Sequence, residues 1–251
     1  MLVTHTRVKF IILLLAIATL CVGCDERVRV VVPPLAPVAG INTIAILDFT
    51  NASIDPGISL ELAAEMGRVV QESNMYTVLD RVTTAAVLSK NGIHPAESAD
   101  RATAIRLGQL LQCDAIVVGE ITHYLEDVHL QTPFRVGSTA DGKTPTWSVG
   151  IITRVHITAT IRVIETRTGN IIWSKRVSEG SETGTSRVLD WYFDSPPPES
   201  FLPRPSKIEV PFARQLAIQR TVSAFASDIL PSYRYEWREK NAATPAPVQV
   251  E

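Results

Sequence analysis

Residues 147–163 alternate apolar and polar side chains along their whole length, and this pattern constrains the fold more than any other feature of the chain. Successive side chains of a β-strand point to opposite faces, so the apolar members share one face. They are Trp147, Val149, Ile151, Thr153, Val155, Ile157, Ala159, Ile161 and Val163. Because an average strand is much shorter, the sequence predicts an unusually long amphipathic strand.

A second arm with the same alternation precedes this strand, and the turn signal Asp141-Gly142 lies between the two. Its apolar members are Val128, Leu130, Thr132, Phe134 and Val136. The arms predict a β-hairpin extension over about residues 124–163, for which two interpretations stay open. Arms of this length are typical of hairpins that cross a membrane. Alternatively, the apolar face covers the soluble domain or a partner, which suits Pro133 better because proline removes a ladder hydrogen bond.

The rest of the chain alternates strands with helices. Short apolar runs at residues 43–49, 76–79 and 115–121 predict buried strands, and apolar stripes at helical spacing predict helices at residues 58–73, 82–90, 99–112 and 211–230. Gly169 and Asn170 predict a tight turn, followed by a strand at residues 171–174. The fold class is therefore a single α/β domain over residues 41–239, three-layer-like, with a mixed sheet flanked by helices and the long amphipathic hairpin as an extension.

The amino terminus has the form of a secretory signal, because Arg7 and Lys9 precede an uncharged run. Eleven helical residues rise roughly 16 Å, which is short of the ~30 Å hydrocarbon layer. The run ends in Leu20-Cys21-Val22-Gly23-Cys24, which resembles the bacterial lipobox. We predict a signal peptide at residues 1–23 and a lipidated Cys24; the alternative is a plain cleaved signal with a spare cysteine.

Three further segments are predicted to be irregular. Residues 24–40 are read as the lipidated cysteine and a flexible tether, residues 178–210 as a proline-rich loop, and residues 240–251 as a disordered tail. Trp191, Tyr192 and Phe193 form an aromatic cluster within that loop. The cluster is either a partner contact or a lid over the core.

Charge and reactive residues exclude several classes of function. Without residues 1–23, 22 basic residues face 26 acidic ones, so the net charge is near −4 and nucleic acid is not a predicted partner. Cys113 has no cysteine to pair with in the folded domain, and is read as a small buried apolar residue. No phosphate-binding glycine loop, nucleophile elbow or metal-like histidine spacing occurs, so we predict no catalytic residue, metal or cofactor. The histidines remaining after export are His94, His123, His129 and His156, of which the last two are expected to be solvated.

Asp48 and Asp80 end two core strands, where α/β folds often hold ligands. We expect them to cap turns, with Arg81 balancing charge; a small-ligand site is the alternative.

Four runs of residues carry a resemblance to a known family. They are residues 44–51 (IAILDFTN), 78–81 (VLDR), 104–121 (including AIRLG and DAIVVGEI) and 162–174 (RVIETRTGNIIWS). In this order they resemble the curli secretion channel lipoproteins, the CsgG-like family, which is related to periplasmic lipoproteins that activate peptidoglycan synthases. The resemblance implies a non-enzymatic outer-membrane channel subunit that forms homo-oligomers and contributes two membrane hairpins.

The chain departs from that pattern where a second hairpin is expected, because residues 178–206 are rich in proline and charge. The prediction is a membrane-anchored envelope lipoprotein of the secretion or assembly type. The alternatives are a regulator that binds a peptidoglycan synthase or another envelope partner, and a small-ligand binding module. Asp25, directly after the lipidated residue, makes the inner membrane an alternative location to the outer membrane.

Overall fold

The structure is a computed structural model that describes residues 26–36, 38, 40–53, 55–202 and 209–238. The predicted signal peptide, Cys24 and the predicted tail lie outside the described residues. The segment Pro34–Leu230 forms one compact unit, and β1 and β9 belong to a second. Among the helices described, none combines the length and the apolar character needed to span a membrane.

Seven strands of the larger unit form one mixed sheet. The core order is β4-β2-β5-β7-β6, with β3 also paired to β5 and β8 to β7. The pairs β2–β4, β2–β5 and β3–β5 are parallel, and the pairs made by β7 are antiparallel. The predicted mixed sheet is therefore confirmed. The strands are β2 (Thr43–Ile46), β3 (Thr50–Asn51), β4 (Thr77–Val78), β5 (Ala115–Leu130), β6 (Phe134–Ser138), β7 (Pro145–Glu165) and β8 (Asn170–Asp190).

Four α-helices are present among the described residues, close to the four predicted positions. They are α1 (Gly57–Glu72), α2 (Arg81–Lys90), α3 (Arg101–Leu111) and α4 (Glu209–Ile229), with short 3₁₀ helices at Pro95–Ala99 and Glu199–Phe201. Helices α2 and α3 begin after aspartates that accept hydrogen bonds from backbone N–H groups of the first turn.

The helices cover both faces of the sheet. On one face, α1 and α4 pack against β2, β5 and β7 around Leu62, Met66 and Phe225. On the other face, α2 and α3 pack around Leu88, Leu107 and Ile116. The predicted three-layer arrangement follows, because β-strands that are apolar on both faces need helices on both sides.

The smaller unit is a two-stranded antiparallel ribbon of β1 (Glu26–Val32) and β9 (Ser232–Arg238). Part of the segment predicted as a flexible tether is therefore a paired strand. The register runs from Glu26 opposite Arg238 to Val32 opposite Ser232. A local pattern cannot reveal this pairing, because the partner strand lies at the other end of the chain.

The proline-rich loop also differs from its prediction. Residues 178–190 belong to β8, and irregular chain begins only at Trp191. Most side chains of this part of β8 are exposed. The strand is held by backbone pairing to β7 rather than by an apolar face, so its sequence shows no alternation that predicts it.

Candidate interaction surface

The most distinctive part of the molecule is a ribbon of three long strands, which we call the long ribbon: β5 with its continuation β6, then β7, then β8. The strands β7 and β8 have 21 residues each and pair along nearly their full length. Strand β5 continues beyond the α/β layers, pairing with β7 as far as Leu130 opposite Ile151. The sequence predicted β7 correctly but not that β8 extends beside it.

The apolar face of β7 is buried within the chain. Trp147, Val149 and Ile151, three residues of the predicted membrane or partner surface, are 5%, 0% and 1% exposed. Further along, α4 lies over this face, where Ser181 Oγ donates to the carbonyl of Ala213 at 2.5 Å. This placement agrees with the interpretation in which the apolar face covers the domain itself.

A break in the strand at residues 131–133 reverses the face that its side chains occupy. Leu130 lies opposite Ile151, a buried position, whereas Phe134 lies opposite Ser148, one step out of register. Val188 lies opposite Ser148 from the other side. Phe134 and Val188 therefore share the outer face and are 57% and 64% exposed.

The other predicted hairpin residues divide in the same way. Val128 and Leu130 lie in β5, before the break, and are half-buried. Val136 lies in a register irregularity between Arg135 and Gly137, and half of its surface is exposed. The single apolar arm predicted for residues 128–136 is thus split by Pro133, which lies within the break.

The loop that follows β8 folds against this same end of the long ribbon. The backbone N–H of Trp191 donates to the Pro145 carbonyl at 3.2 Å, and Arg135 pairs with Asp194 at 3.0 Å. The Trp191 ring contacts the rings of Phe193 and Phe201, with centroids 5.2 and 4.7 Å apart. Trp191 is half-buried and anchors the loop, whereas Tyr192 and Phe193 are exposed. We call Phe134, Val136, Val188, Tyr192 and Phe193 the distal residues.

The outer face of the long ribbon is polar. Arg154 pairs with Glu182 at 2.6 Å, and the His123 and His156 rings lie 6.1 Å apart across β5 and β7. A register shift after Ile121 puts His123 on this face, so sequence spacing alone did not bring the two histidines together. Across the described part of the chain, no cluster of three or more side chains suited to hold a metal occurs.

His156 Nε2 lies 3.0 Å from Ser178 Oγ, a contact that nucleophile and base share in hydrolases. Such a pair needs a third group that orients the histidine. Within the described residues, His156 hydrogen-bonds only to the hydroxyls of Ser178 and Thr158. Among the described residues, the pair therefore lacks the orienting group that such an arrangement needs.

Of the two aspartates at the strand ends, Asp80 caps a turn as predicted, whereas Asp48 forms the predicted charge pair with Arg81. Asp80 caps α2 by accepting from the Thr83 N–H at 2.8 Å, and this hydrogen bond holds the pKa of Asp80 below its usual value. Asp48 pairs with Arg81 at 2.7 Å. Each of the two aspartates lines its own cavity beside β2. The cavity lined by Asp48, Arg81 and His94 measures about 320 Å³. Its cation and carboxylate neutralise each other.

A charge cluster around Arg214 was not predicted from the sequence. The guanidinium binds Asp55 at 2.6 Å and Glu61 at 2.9 Å, and lies 3.9 Å from Glu126. The hydrogen bond from Arg214 lowers the pKa of Asp55, although partial burial opposes the shift. Burial and a hydrogen bond to Glu126 raise the pKa of Tyr124. The cluster joins α4 to α1 and to β5, and it borders a cavity of about 810 Å³.

Cys113 is buried, as predicted, and burial raises the pKa of its thiol to about 11. A thiol that stays protonated is a poor nucleophile. The main features of the described structure are the long ribbon, the exposed aromatic residues at its end and a separate two-stranded ribbon.

The comparison with known families gives the class of protein to which this chain belongs. The family model "Curli production assembly/transport component CsgG" matches residues 25–190, about two thirds of the chain. The chain belongs to this family. Membership places it among cell-envelope proteins of the secretion and assembly type.

Several solved structures are similar in fold. Lipoprotein GNA1162 from Neisseria meningitidis shares 17% identity, with 57% of this chain and 84% of that chain covered and a TM-score of 0.41. The LpoB C-terminal domain from Salmonella enterica shares 11% identity, with 59% and 84% covered and a TM-score of 0.31. The PelC dodecamer from Paraburkholderia phytofirmans shares 12% identity, with 82% and 98% covered and a TM-score of 0.35. At these sequence identities and TM-scores, the similarity to the three structures carries no argument about function. No curated protein sequence matches the chain.

Proposed function

We propose that this protein is a lipid-anchored, non-enzymatic subunit of a secretion or assembly complex in the bacterial envelope, and that copies of it assemble through the edges of the long ribbon. The observation that carries the proposal is the extent of the family match. It ends at Asp190, the last residue of β8, and so includes the long ribbon together with most of the α/β layers.

The long ribbon has two strand edges that suit such an assembly. Among the described residues, β8 forms ladder pairs only with β7, although its Gly180 carbonyl accepts a hydrogen bond from Arg220 of α4. Residues 122–130 of β5 likewise form ladder pairs only with β7. A long edge strand presents unpaired N–H and C=O groups to another chain. The β8 edge of one copy and the β5 edge of the next form a head-to-tail contact, which gives a closed ring when the rotation between copies permits it.

The anchor in this proposal is an acyl group on Cys24, for which the support is the lipobox-like sequence. We place the protein in the outer membrane by family resemblance, with the inner membrane as the alternative because of Asp25. Separation of the two membranes by density would decide between them.

The experiment that tests the assembly is imaging of the full-length acylated protein, extracted in mild detergent, together with a mass measurement. Closed rings are the expected result. Monomers or dimers at every concentration would contradict assembly through the ribbon edges.

A second candidate function is docking on a peptidoglycan synthase or another envelope protein, and the exposure of the distal residues favours it. Tyr192 and Phe193 are 79% and 60% exposed, and exposed aromatic residues often mark protein contacts. The double variant Tyr192→Ser/Phe193→Ser distinguishes the two functions. It leaves ring formation unchanged if assembly uses the strand edges, whereas loss of an envelope phenotype with intact rings supports docking.

A further inference from the structure

We propose that the ribbon of β1 and β9 binds the anionic headgroup surface of a lipid bilayer through one of its two faces. We call this face the aromatic–arginine face; its members are Arg27, Arg29, Val31, Tyr233 and Tyr235. The inference goes beyond the proposed assembly and shares one assumption with it, the acyl group on Cys24. The contact itself is a property of the folded ribbon and can be tested without that group.

The register of the ribbon puts these side chains on one face. Arg29 lies opposite Tyr235, and Val31 lies opposite Tyr233. Residues directly opposite in an antiparallel pair share a face, as do alternate residues along one strand, so Arg27 joins them. The Arg29 guanidinium carbon lies 3.5 Å from the centroid of the Tyr233 ring, a cation–π contact that holds both side chains on this face.

The two faces differ in charge. The aromatic–arginine face carries Arg29, whose cation–π contact with the Tyr233 ring leaves its positive charge in place. On the opposite face, Arg234 pairs with Glu236 at 2.5 Å, so its positive charge is balanced. A cationic face on a chain that is acidic overall, with a net charge of −2, is complementary to anionic lipid, and each arginine near such a surface favours binding.

Exposure and chemistry identify lipid as the occupant. Tyr235, Val31 and Tyr233 are 69%, 59% and 52% exposed, and a two-stranded ribbon is only marginally stable in water by itself. Tyrosine rings settle at the headgroup level of bilayers, where the ring is apolar and the hydroxyl is hydrated. Cys24 precedes Glu26 by two residues, or about 7 Å of extended chain. An acyl group there would keep the ribbon near the membrane, whichever face it presents.

The test uses the chain without the predicted signal peptide, residues 1–23, and with Cys24→Ser, which removes the acyl site, and measures flotation with vesicles. One set is phosphatidylcholine and the other an equal mixture of phosphatidylcholine and phosphatidylglycerol. We expect binding to the anionic vesicles that weakens with added salt. The added change Arg29→Gln should weaken it about fivefold. The matched control is Arg234→Gln, which removes the same charge from the opposite face and should change binding by less than about twofold.

A second pair of changes, Tyr233→Ser and Tyr235→Ser, should weaken binding to both vesicle compositions, with circular dichroism as the check on folding. No binding of the Cys24→Ser chain to anionic vesicles overturns the proposal, and so does equal binding to both compositions. An effect of Arg234→Gln as large as that of Arg29→Gln overturns the assignment of the face. Ring formation is measured in detergent without vesicles, so failure here leaves the proposed assembly standing.

Discussion

Gly108 is the residue at which the backbone of a helix comes closest to a turn of the sheet. A Cβ atom added there would collide with the Cβ of Thr166. Thr166 cannot move aside, because its N–H donates to the Asp114 carbonyl at 2.9 Å and its hydroxyl donates to the Cys113 carbonyl. The glycine therefore fixes how closely α3 packs against the turn between β7 and β8.

We predict that Gly108→Ala lowers the free energy of unfolding by about 1–3 kcal/mol, because the added methyl group forces α3 away from the turn. Thermal and urea unfolding measure the change. The matched control is Gly67→Ala in α1, where the nearest atom to an added Cβ is 4.0 Å away. That substitution should stabilise by up to about 1 kcal/mol through helix propensity. Equal effects of the two substitutions would contradict the packing argument.

Arg214 joins helix α4 to helix α1 through its ion pair with Glu61. Its hydrogen bond lowers the pKa of Asp55 below the ordinary value of 3.8. A lowered pKa in the folded state contributes stability above the unfolded-state value, and this contribution is lost as the pH falls through the folded-state value. Arg214→Met should therefore cost about 1–3 kcal/mol near neutral pH. The cost should shrink below about pH 4.

Urea unfolding of wild type and Arg214→Met at both pH values measures this difference. The matched control is Arg68→Met, because Arg68 pairs with Glu65 and Glu72 on an exposed surface of α1. Exposed pairs contribute little, so its cost should be much smaller than that of Arg214→Met and should change little with pH. A pH-independent cost for Arg214→Met would mean that lost packing, not the ion pairs, sets its role.

Strand β8 has two unlike edges, because one pairs with β7 and the other forms no strand pair among the described residues. Neighbouring residues of an antiparallel strand direct their N–H groups to opposite sides. Glu182 and Thr183 are neighbours in the middle of the long ribbon, opposite Arg154 and Thr153. One of the two donates towards β7 and the other towards the free edge.

We predict that Glu182→Pro and Thr183→Pro have unlike effects. The proline that removes a ladder hydrogen bond to β7 should cost about 1–3 kcal/mol of stability. The other should fold normally but reduce ring formation, since it removes a donor from the free edge. Urea unfolding and detergent-extracted particle mass measure the two properties. If both variants fold and assemble like wild type, the β8 edge is not the contact between copies.

The elements that the sequence predicted are those with a local signal. Helix α1 and strand β7 each bury one apolar face, so periodicity located them to within a few residues. The second half of β8 and both strands of the small ribbon are held by backbone pairing to distant partners, and no local periodicity records such a pairing. The register shifts that move His123 and Phe134 to the outer face were equally unpredictable, because a shift by one residue reverses the face.

The candidate surface was predictable only in part. The exposed loop residues Tyr192 and Phe193 lie where the aromatic cluster suggested. The Arg214 cluster joins residues 159 positions apart, and nothing in the sequence near either partner indicates the other. Trp147 and Val149 looked like surface residues of a hairpin, and only the three-dimensional packing shows that the chain covers them.

The predicted acyl group on Cys24 would hold the whole protein at a membrane. Cys24→Ser should reduce the amount of protein in the membrane fraction. In a phase-separating detergent, the variant should move to the detergent-poor phase, because an acyl chain contributes about 0.8 kcal/mol of membrane binding for each buried CH₂ group. Cys21→Ser is the matched control, since Cys21 lies within the predicted signal peptide and should leave anchoring unchanged. Labelling with radioactive fatty acid measures acylation directly. Acylation that persists in Cys24→Ser would contradict the prediction.

The small ribbon sets an order of events during synthesis. β1 is synthesised long before its partner β9, because the two strands are separated by the whole α/β domain, with Glu26 opposite Arg238. β1 must therefore wait unpaired while the intervening sheet and helices are made and fold. Closing so long a loop costs conformational entropy that is lower once the domain between the two strands is compact. We expect the ribbon to form last, after the core of the domain between its two strands is complete.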